Sequence, residues 1–240
     1  MLYRFIKFIT SLLVLNYEKK LLLKLKLIQI EPKIIIDAGA HIGEYSKLFL
    51  KNFSKIKKIY CFEPQESIFK ILKNNFKNNN KVKCINKALG HKVKKTFFNE
   101  GYHERSSTFL VVNEDSLFYK VKSLILFGKI TNMIKKVNKV EVSTIDFYFN
   151  KKKNIDILKI DVEGYELNVL KGALTSIKQN KIKVLLIEIT THNMFKRYSS
   201  KKIESFLLEN NFVLFSRHKF PLYPFEDRIY LHKSIKTRTQ

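Results

Sequence analysis

The sequence predicts an α/β protein whose centre is an open, doubly wound, mostly parallel sheet. Three observations carry this. Ile34-Ile35-Ile36-Asp37 is a short continuous apolar run, the pattern of a strand buried on both faces. Strand-like and helix-spaced segments then alternate along most of the chain, which puts helices on both faces of such a sheet. Finally, four apolar runs end in acids, at Asp37, Glu63, Asp161 and Glu188, and ligands in these sheets bind beyond the strand carboxyl ends.

Residues 34–37 form the first expected strand. A glycine turn follows, then a helix from about Glu44 with Tyr45, Leu48 and Phe49 apolar. Residues 59–62 make the second strand. Residues 65–76 form a helix in which Ile68, Phe69, Leu72 and Phe76 recur at helical spacing. Asn78-Asn79-Asn80 ends it before a third strand at 82–85. Over 91–139 the rhythm is lost. A strand is expected at 93–98 and a basic helical stretch at 116–137, carrying Leu117, Val121, Leu124 and Ile125. This region, about 99–139, reads as an insertion or lid within one domain spanning 31–235. Strands resume at 140–145 and 155–161, and an amphipathic helix covers 165–179. A buried strand at 184–189, a helix at 201–210 and strands at 212–216 and 228–232 complete the order.

Composition limits the function classes. The 240 residues suffice for one large domain with an ample core. Two cysteines, Cys61 and Cys84, indicate no disulfide framework and a reducing compartment, so a cytoplasmic protein is expected. The net charge is +25, but only six of the 46 basic residues are arginine. Sequence-reading nucleic-acid sites lean on arginine for bidentate contacts, so the excess speaks against such a role, although it draws anionic surfaces. Residues 1–15 are basic and then apolar without a small-residue cleavage site. No run approaches the ~20 apolar residues of a spanning helix. Residues 1–30 are expected as an amphipathic helical extension that covers the domain or touches a membrane peripherally.

The glycine turn narrows the ligand. A dinucleotide site wants G-x-G-x-x-G, whose second glycine lets backbone approach a pyrophosphate. Here the spacing is Gly39-x-x-x-Gly43, with Asp37 two residues earlier. An acid there repels a pyrophosphate but attracts the ammonium and sulfonium end of S-adenosylmethionine. Glu63 suits the two ribose hydroxyls and Asn86 the adenine edge.

Residues 35–43, 60–64, Lys87-Ala88-Leu89-Gly90, Ser143-Thr144-Ile145-Asp146 and the block 157–166, Ile-Leu-Lys-Ile-Asp-Val-Glu-Gly-Tyr-Glu, together resemble FkbM-type methyltransferases. Leu170-Lys171-Gly172-Ala173 and the strand ending in Glu188 match as well, so the resemblance spans roughly 33–215. It implies a class I methyltransferase Rossmann-like sheet with an antiparallel last strand, S-adenosylmethionine as cofactor, and O-methylation of a sugar, glycan or other small molecule. Asp37, Gly39, His41, Gly43, Glu63, Asn86 and Ala88 are the expected cofactor-binding residues. Ala38 and His41 replace the family's usual Val and Asn.

For catalysis, Asp161 is the first candidate to take the acceptor's proton. Glu163 shares that work or holds the acceptor, and Glu188 and His192 complete the pocket. Glu163 and Glu166 also suit a helix amino terminus. No His/Asp/Glu cluster has recognisable metal-ligand spacing, so no metal is expected. His103, Arg105, Ser106 and Ser107 form a polar group suited to an acidic or hydroxyl-rich acceptor. The alternatives are an RNA-binding or RNA-methylating protein and a non-catalytic basic surface-binding protein on the same scaffold. Against the first stands Asp161-Val162-Glu163-Gly164, which lacks the prolines and stacking aromatic of base-amino methylases.

Overall fold

The computed structural model describes residues 17–102, 107–149, 154–220 and 224–235. The elements in order are α1 (residues 17–27), β1 (Ile34–Ala38), α2 (Glu44–Asn52), β2 (Lys58–Phe62), α3 (Glu66–Asn75), β3 (Val82–Ile85), β4 (Ala88–Leu89) and β5 (Lys94–Gly101). There follow α4 (Leu117–Phe127), β6 (Ile134–Ser143), α5 (Ile145–Phe149), β7 (Ile155–Ile160), α6 (Glu166–Lys171), α7 (Leu174–Lys178), β8 (Ile182–Thr190), α8 (Ser200–Glu209), β9 (Phe212–Lys219) and β10 (Phe225–His232).

Seven strands form one sheet in the order β3-β2-β1-β7-β8-β10-β9. All neighbours pair parallel except β10, which runs antiparallel to both β8 and β9. The order reverses between β1 and β7, so the carboxyl ends of these two strands flank the switch point where such sheets bind ligands. The expected mostly parallel sheet with an antiparallel last strand is the one observed.

Period-two alternation splits the strands between two cores. Ile36, Leu158, Ile160, Leu185 and Ile187 face one way and pack with Val169, Leu170, Ile177, Ile203 and Leu207 of the later helices. Ile35, Ile157, Val184, Leu186 and Ile229 face the other way, against Phe49 and Leu72. Leu21, Leu22, Leu25 and Ile28 belong to this second core. The apolar face of α1 therefore meets the sheet, while Leu23 and Leu27 stay exposed. Among the described residues no helix is long and apolar enough to cross a membrane.

Three segments differ from the sequence expectations. The helix expected over 116–137 ends at Phe127, because Gly128 caps it in the left-handed conformation (φ 70°) with its N–H on the Leu124 carbonyl. Residues from Ile134 onward instead start β6, which pairs antiparallel with β5 and parallel with the two-residue β4 in a second, three-stranded sheet. Secondly, the strand expected over 140–145 stops at Ser143, and Ile145 opens the short α5. Finally, the single helix expected over 165–179 breaks into α6 and α7 at Gly172-Ala173. The Asp146 carboxylate accepts from the Thr175 and Ser176 N–H groups, each at 2.8 Å, and so restarts the second helix.

Gly172 is fixed by contact, not by φ. A Cβ there would lie 1.9 Å from the Gly90 carbonyl oxygen, so the backbones at 90 and 172 touch. Gly172→Ala is expected to lower unfolding free energy by about 1–3 kcal/mol, the usual cost of overpacking. Urea denaturation measures it, and an unchanged midpoint would contradict this close approach.

Candidate functional site

The turn after β1 is built from left-handed residues: Gly39, His41 and Gly43 have φ of 77°, 49° and 90°. A Cβ on Gly39 would stand 1.8 Å from the Asp161 carbonyl oxygen. The turn is thus pressed against the end of β7, where the Asp161 N–H donates to the Ala38 carbonyl at 3.0 Å. On its other side, the Gly39 and Ala40 N–H groups both donate to the Phe62 carbonyl, at 3.0 and 2.9 Å. Gly43 has a second constraint, since a Cβ would meet the Phe76 ring at 2.3 Å.

Glu63 follows β2 directly and is buried. Its carboxylate accepts from the His41 N–H at 3.0 Å and the Gln65 N–H at 2.9 Å. Burial pushes its carboxyl up to about 7, against those two donors. Asn86 adjoins it, but its amide nitrogen donates to the Glu63 and Pro64 carbonyls at 2.9 and 3.2 Å. Its amide N–H groups are therefore turned to the loop backbone. Ala88 is buried in β4. Ser107 joins this corner, its hydroxyl donating to Gln65 at 3.2 Å. His103, Arg105 and Ser106 lie outside the described residues. A cleft of about 660 Å³ opens beside Pro64 and Asn86, walled by Lys95, Lys136 and Glu141 of the three-stranded sheet.

Asp37 departs from expectation. It is fully buried, and its carboxylate accepts from the Ser46 hydroxyl at 2.7 Å and lies 3.5 Å from Lys159 Nζ. Its charge is directed into the protein, not presented on the loop surface as a ligand group. Lys159 sits beside Asp37 in the β1–β7 register. Its ammonium also reaches Asp161 at 3.1 Å and lies 4.5 Å from the Tyr45 ring centroid. Burial pulls its pKa down, but Asp161 and Asp37 outweigh burial and hold it above the ordinary lysine value. Lys159 is therefore a permanent cation.

Beyond Lys159 the acids gather. Carboxylate oxygens of Asp161, Glu163 and Glu188 lie within 4.8 Å of one another. That grouping has the chemistry to hold a divalent cation, which their spacing along the chain does not reveal. Asp227, on β10, pairs in register with Glu188. It is buried and accepts from the hydroxyls of Tyr17 at 2.9 Å and Tyr45 at 3.0 Å. Burial and then Asp161 push its carboxyl up to about 6. Glu188 is raised well above the carboxylate range, first by burial and then by Asp161 and Glu163. Lys122 of α4 faces this group, its pKa lowered by burial although Glu163 and Glu188 act to raise it. Glu166 is structural: its buried carboxylate accepts from the Gly164 N–H at 2.9 Å, and burial pushes it up to about 7.

The His192 ring stacks on Phe118 at 4.2 Å, and its Nδ1 accepts from the Met194 N–H at 3.1 Å. Burial, with Lys122 second, lowers its pKa to about 4. The remaining nitrogen, Nε2, therefore carries the proton at neutral pH. The ring expected to complete the pocket is thus a neutral donor, held by Phe118 and the Met194 N–H. Asp227, Tyr45 and Lys122 escaped the sequence reading, because only pairing of β10 with β8 and packing of α4 bring them here.

A reversed strand between the last two parallel ones, with a glycine turn and acids at the strand ends, defines the class I methyltransferase fold. A family model described as the methyltransferase FkbM domain matches residues 37–214, and the chain belongs to that family. A crystal structure of methyltransferase FkbM from Methylobacillus flagellatus is similar at 16% identity and a TM-score of 0.54. The match covers 84% of this chain but 44% of that one. A putative RNA methyltransferase from Pyrococcus horikoshii matches at 15% identity and a TM-score of 0.44, over 92% of this chain and 81% of that one. M. capricolum TrmK, solved with S-adenosyl-homocysteine, matches at 12% and 0.47, over 90% and 70%. No curated protein sequence matches.

The shared cation sets one expectation. Lys159→Met leaves Asp37 and Asp161 facing each other without a counterion. It is expected to cost about 3–5 kcal/mol of stability at neutral pH, the usual consequence of removing one partner from a buried ion pair. Denaturant unfolding measures the loss, and a variant as stable as the parent would remove Lys159 from this role.

Proposed function

We propose that the chain is an S-adenosylmethionine-dependent O-methyltransferase acting on a hydroxyl of a sugar, glycan or other small molecule. The observation that carries this reading is Glu63. It is a buried carboxylate at the end of the second parallel strand, held by backbone N–H groups beside the left-handed turn 39–43. S-adenosylmethionine supplies a sulfonium methyl group for in-line transfer to an oxygen nucleophile.

Each residue's part follows from its placement. Glu63 accepts from the two ribose hydroxyls, with lone pairs left over from its two backbone donors. The 39–43 turn holds the methionine end through backbone and the His41 side chain. Asp161 stands at the switch point and takes the acceptor's proton. Glu188 is the carboxylate next to it, with an oxygen of each within 4.8 Å, and burial, then Asp161 and Glu163, hold Glu188 well above the ordinary carboxylate range. Alignment of acceptor and methyl contributes up to ~7–11 kcal/mol of the barrier reduction. Asp161, Glu163 and Glu188 also fit a divalent cation, which would lower the pKa of an acceptor hydroxyl bound to it.

Calorimetric titration with S-adenosylhomocysteine, with NAD as control, tests the cofactor reading. Micromolar binding of the first alone is expected, and binding of neither would refute it. Glu63→Ala is expected to weaken that binding by at least ~1–3 kcal/mol. The pH dependence has a definite sign. Hydroxyl donors favour ionised Glu63, so binding lowers its pKa from about 7 and releases a proton. Affinity therefore falls as pH drops below about 7, and Glu63→Gln flattens the profile. A second outcome concerns turnover: Asp161→Asn keeps S-adenosylhomocysteine affinity but transfers labelled methyl to a glycan panel at least ~100-fold more slowly. Full activity would dismiss Asp161 as the base.

A further inference from the structure

Helix α4 is apolar on both sides. Its inner side packs Phe118, Tyr119 and Phe127 with Met133, Met194 and Phe195. Its outer side carries Leu117, Val121, Leu124 and Ile125, spaced i, i+4, i+7 and i+8, which is one stripe of a helix. Their exposures are 76%, 43%, 47% and 78%. Ile130, two residues past the Gly128 cap, is 57% exposed. Single exposed apolar residues need no explanation, but a contiguous stripe marks an interaction surface.

Charge decides what covers it. At 100° per residue, Lys120 falls on one flank of the stripe. Exposed Lys129 follows the cap, and exposed Lys196 and Arg197 follow Phe195 in the loop packed against α4. The nearby acids, Glu114 and Asp115, precede Ser116 at the helix amino terminus, where they complement its dipole. A second copy of this +25 chain would bring like charge into contact. A bilayer containing anionic lipid offers both an apolar layer and opposite charge.

We infer that α4 is a peripheral membrane-docking helix, lying in the plane of an anionic bilayer with its outer stripe in the headgroup–acyl boundary. Residues 17–28 bury their main apolar face against the sheet and leave only the pair Leu23 and Leu27 exposed. Phe118 of α4 stacks on His192 at 4.2 Å, four residues past Glu188, so docking brings this end of the sheet to the lipid surface. Resting on the methyl-transfer reading above, the acceptor is then a hydroxyl carried on a lipid.

Flotation of the full chain with vesicles tests this, comparing phosphatidylcholine alone with equal parts phosphatidylcholine and phosphatidylglycerol at about 0.15 M salt. Binding to the anionic vesicles is expected. Leu117→Glu with Ile125→Glu should reduce it at least about tenfold, with the parent's thermal midpoint and S-adenosylhomocysteine affinity retained. Vesicle binding needs neither cofactor nor acceptor, so its failure is separable from failure of the methyltransferase reading. Absence of flotation overturns the proposal. So does equal flotation of parent and variant, which would mean diffuse charge attraction. A parent dimer that the double substitution dissociates, without vesicle binding, would assign the stripe to a second copy and also overturn it.

Discussion

The ammonium of Lys159 between Asp37 and Asp161 is the interaction on which the site depends. The carboxyl edge of the sheet concentrates acids from five strands, β1, β2, β7, β8 and β10, and burial disfavours the charged form of a carboxyl. One permanent cation beneath them lets Asp37 and Asp161 sit on adjacent strands at the switch point. Tyr17 and Tyr45 perform a neutral version of the same task for Asp227. Burial raises the proton affinity of Glu63, Glu188 and Asp227, and Asp161 adds to it at Glu188 and Asp227.

The backbone around this edge is fixed by contacts that exclude a Cβ. Gly39 lies against the Asp161 carbonyl, and Gly172 lies against that of Gly90. The first contact joins the cofactor-side turn to the end of β7. The second joins the α6–α7 break of the first core to the loop after β4 of the three-stranded sheet. Both couple segments far apart in sequence, so the turn 39–43 and the cluster at 161–188 form one rigid frame. Helix α4 is apolar on both its packed and its exposed side.

Much was legible beforehand. The main strands and helices came from apolar runs and helical spacing, and the acids at 37, 63, 161 and 188 stood out because each closes such a run. The errors have local causes. Gly128 stops a helix that the spacing of Val121, Leu124 and Ile125 seemed to prolong. Asp146, 29 residues away, restarts a helix that reads as continuous through Gly172. The stacking of His192 on Phe118, with one ring nitrogen occupied, depends on the packing of α4 and does not show in the sequence.

By itself the sequence determined the strand order's beginning, the glycine turn and which acids stand at strand ends, since these depend on residues within a few positions of each other. Tertiary structure alone decided what those acids do. Asp37 turned inward because Lys159 lies beside it in register, a relation set by pairing β1 with β7 across more than a hundred residues. Asp227 entered the cluster because β10 inserts antiparallel next to β8. Proton affinity follows burial and neighbouring charge, and both are properties of the packed edge, not of any segment of the chain.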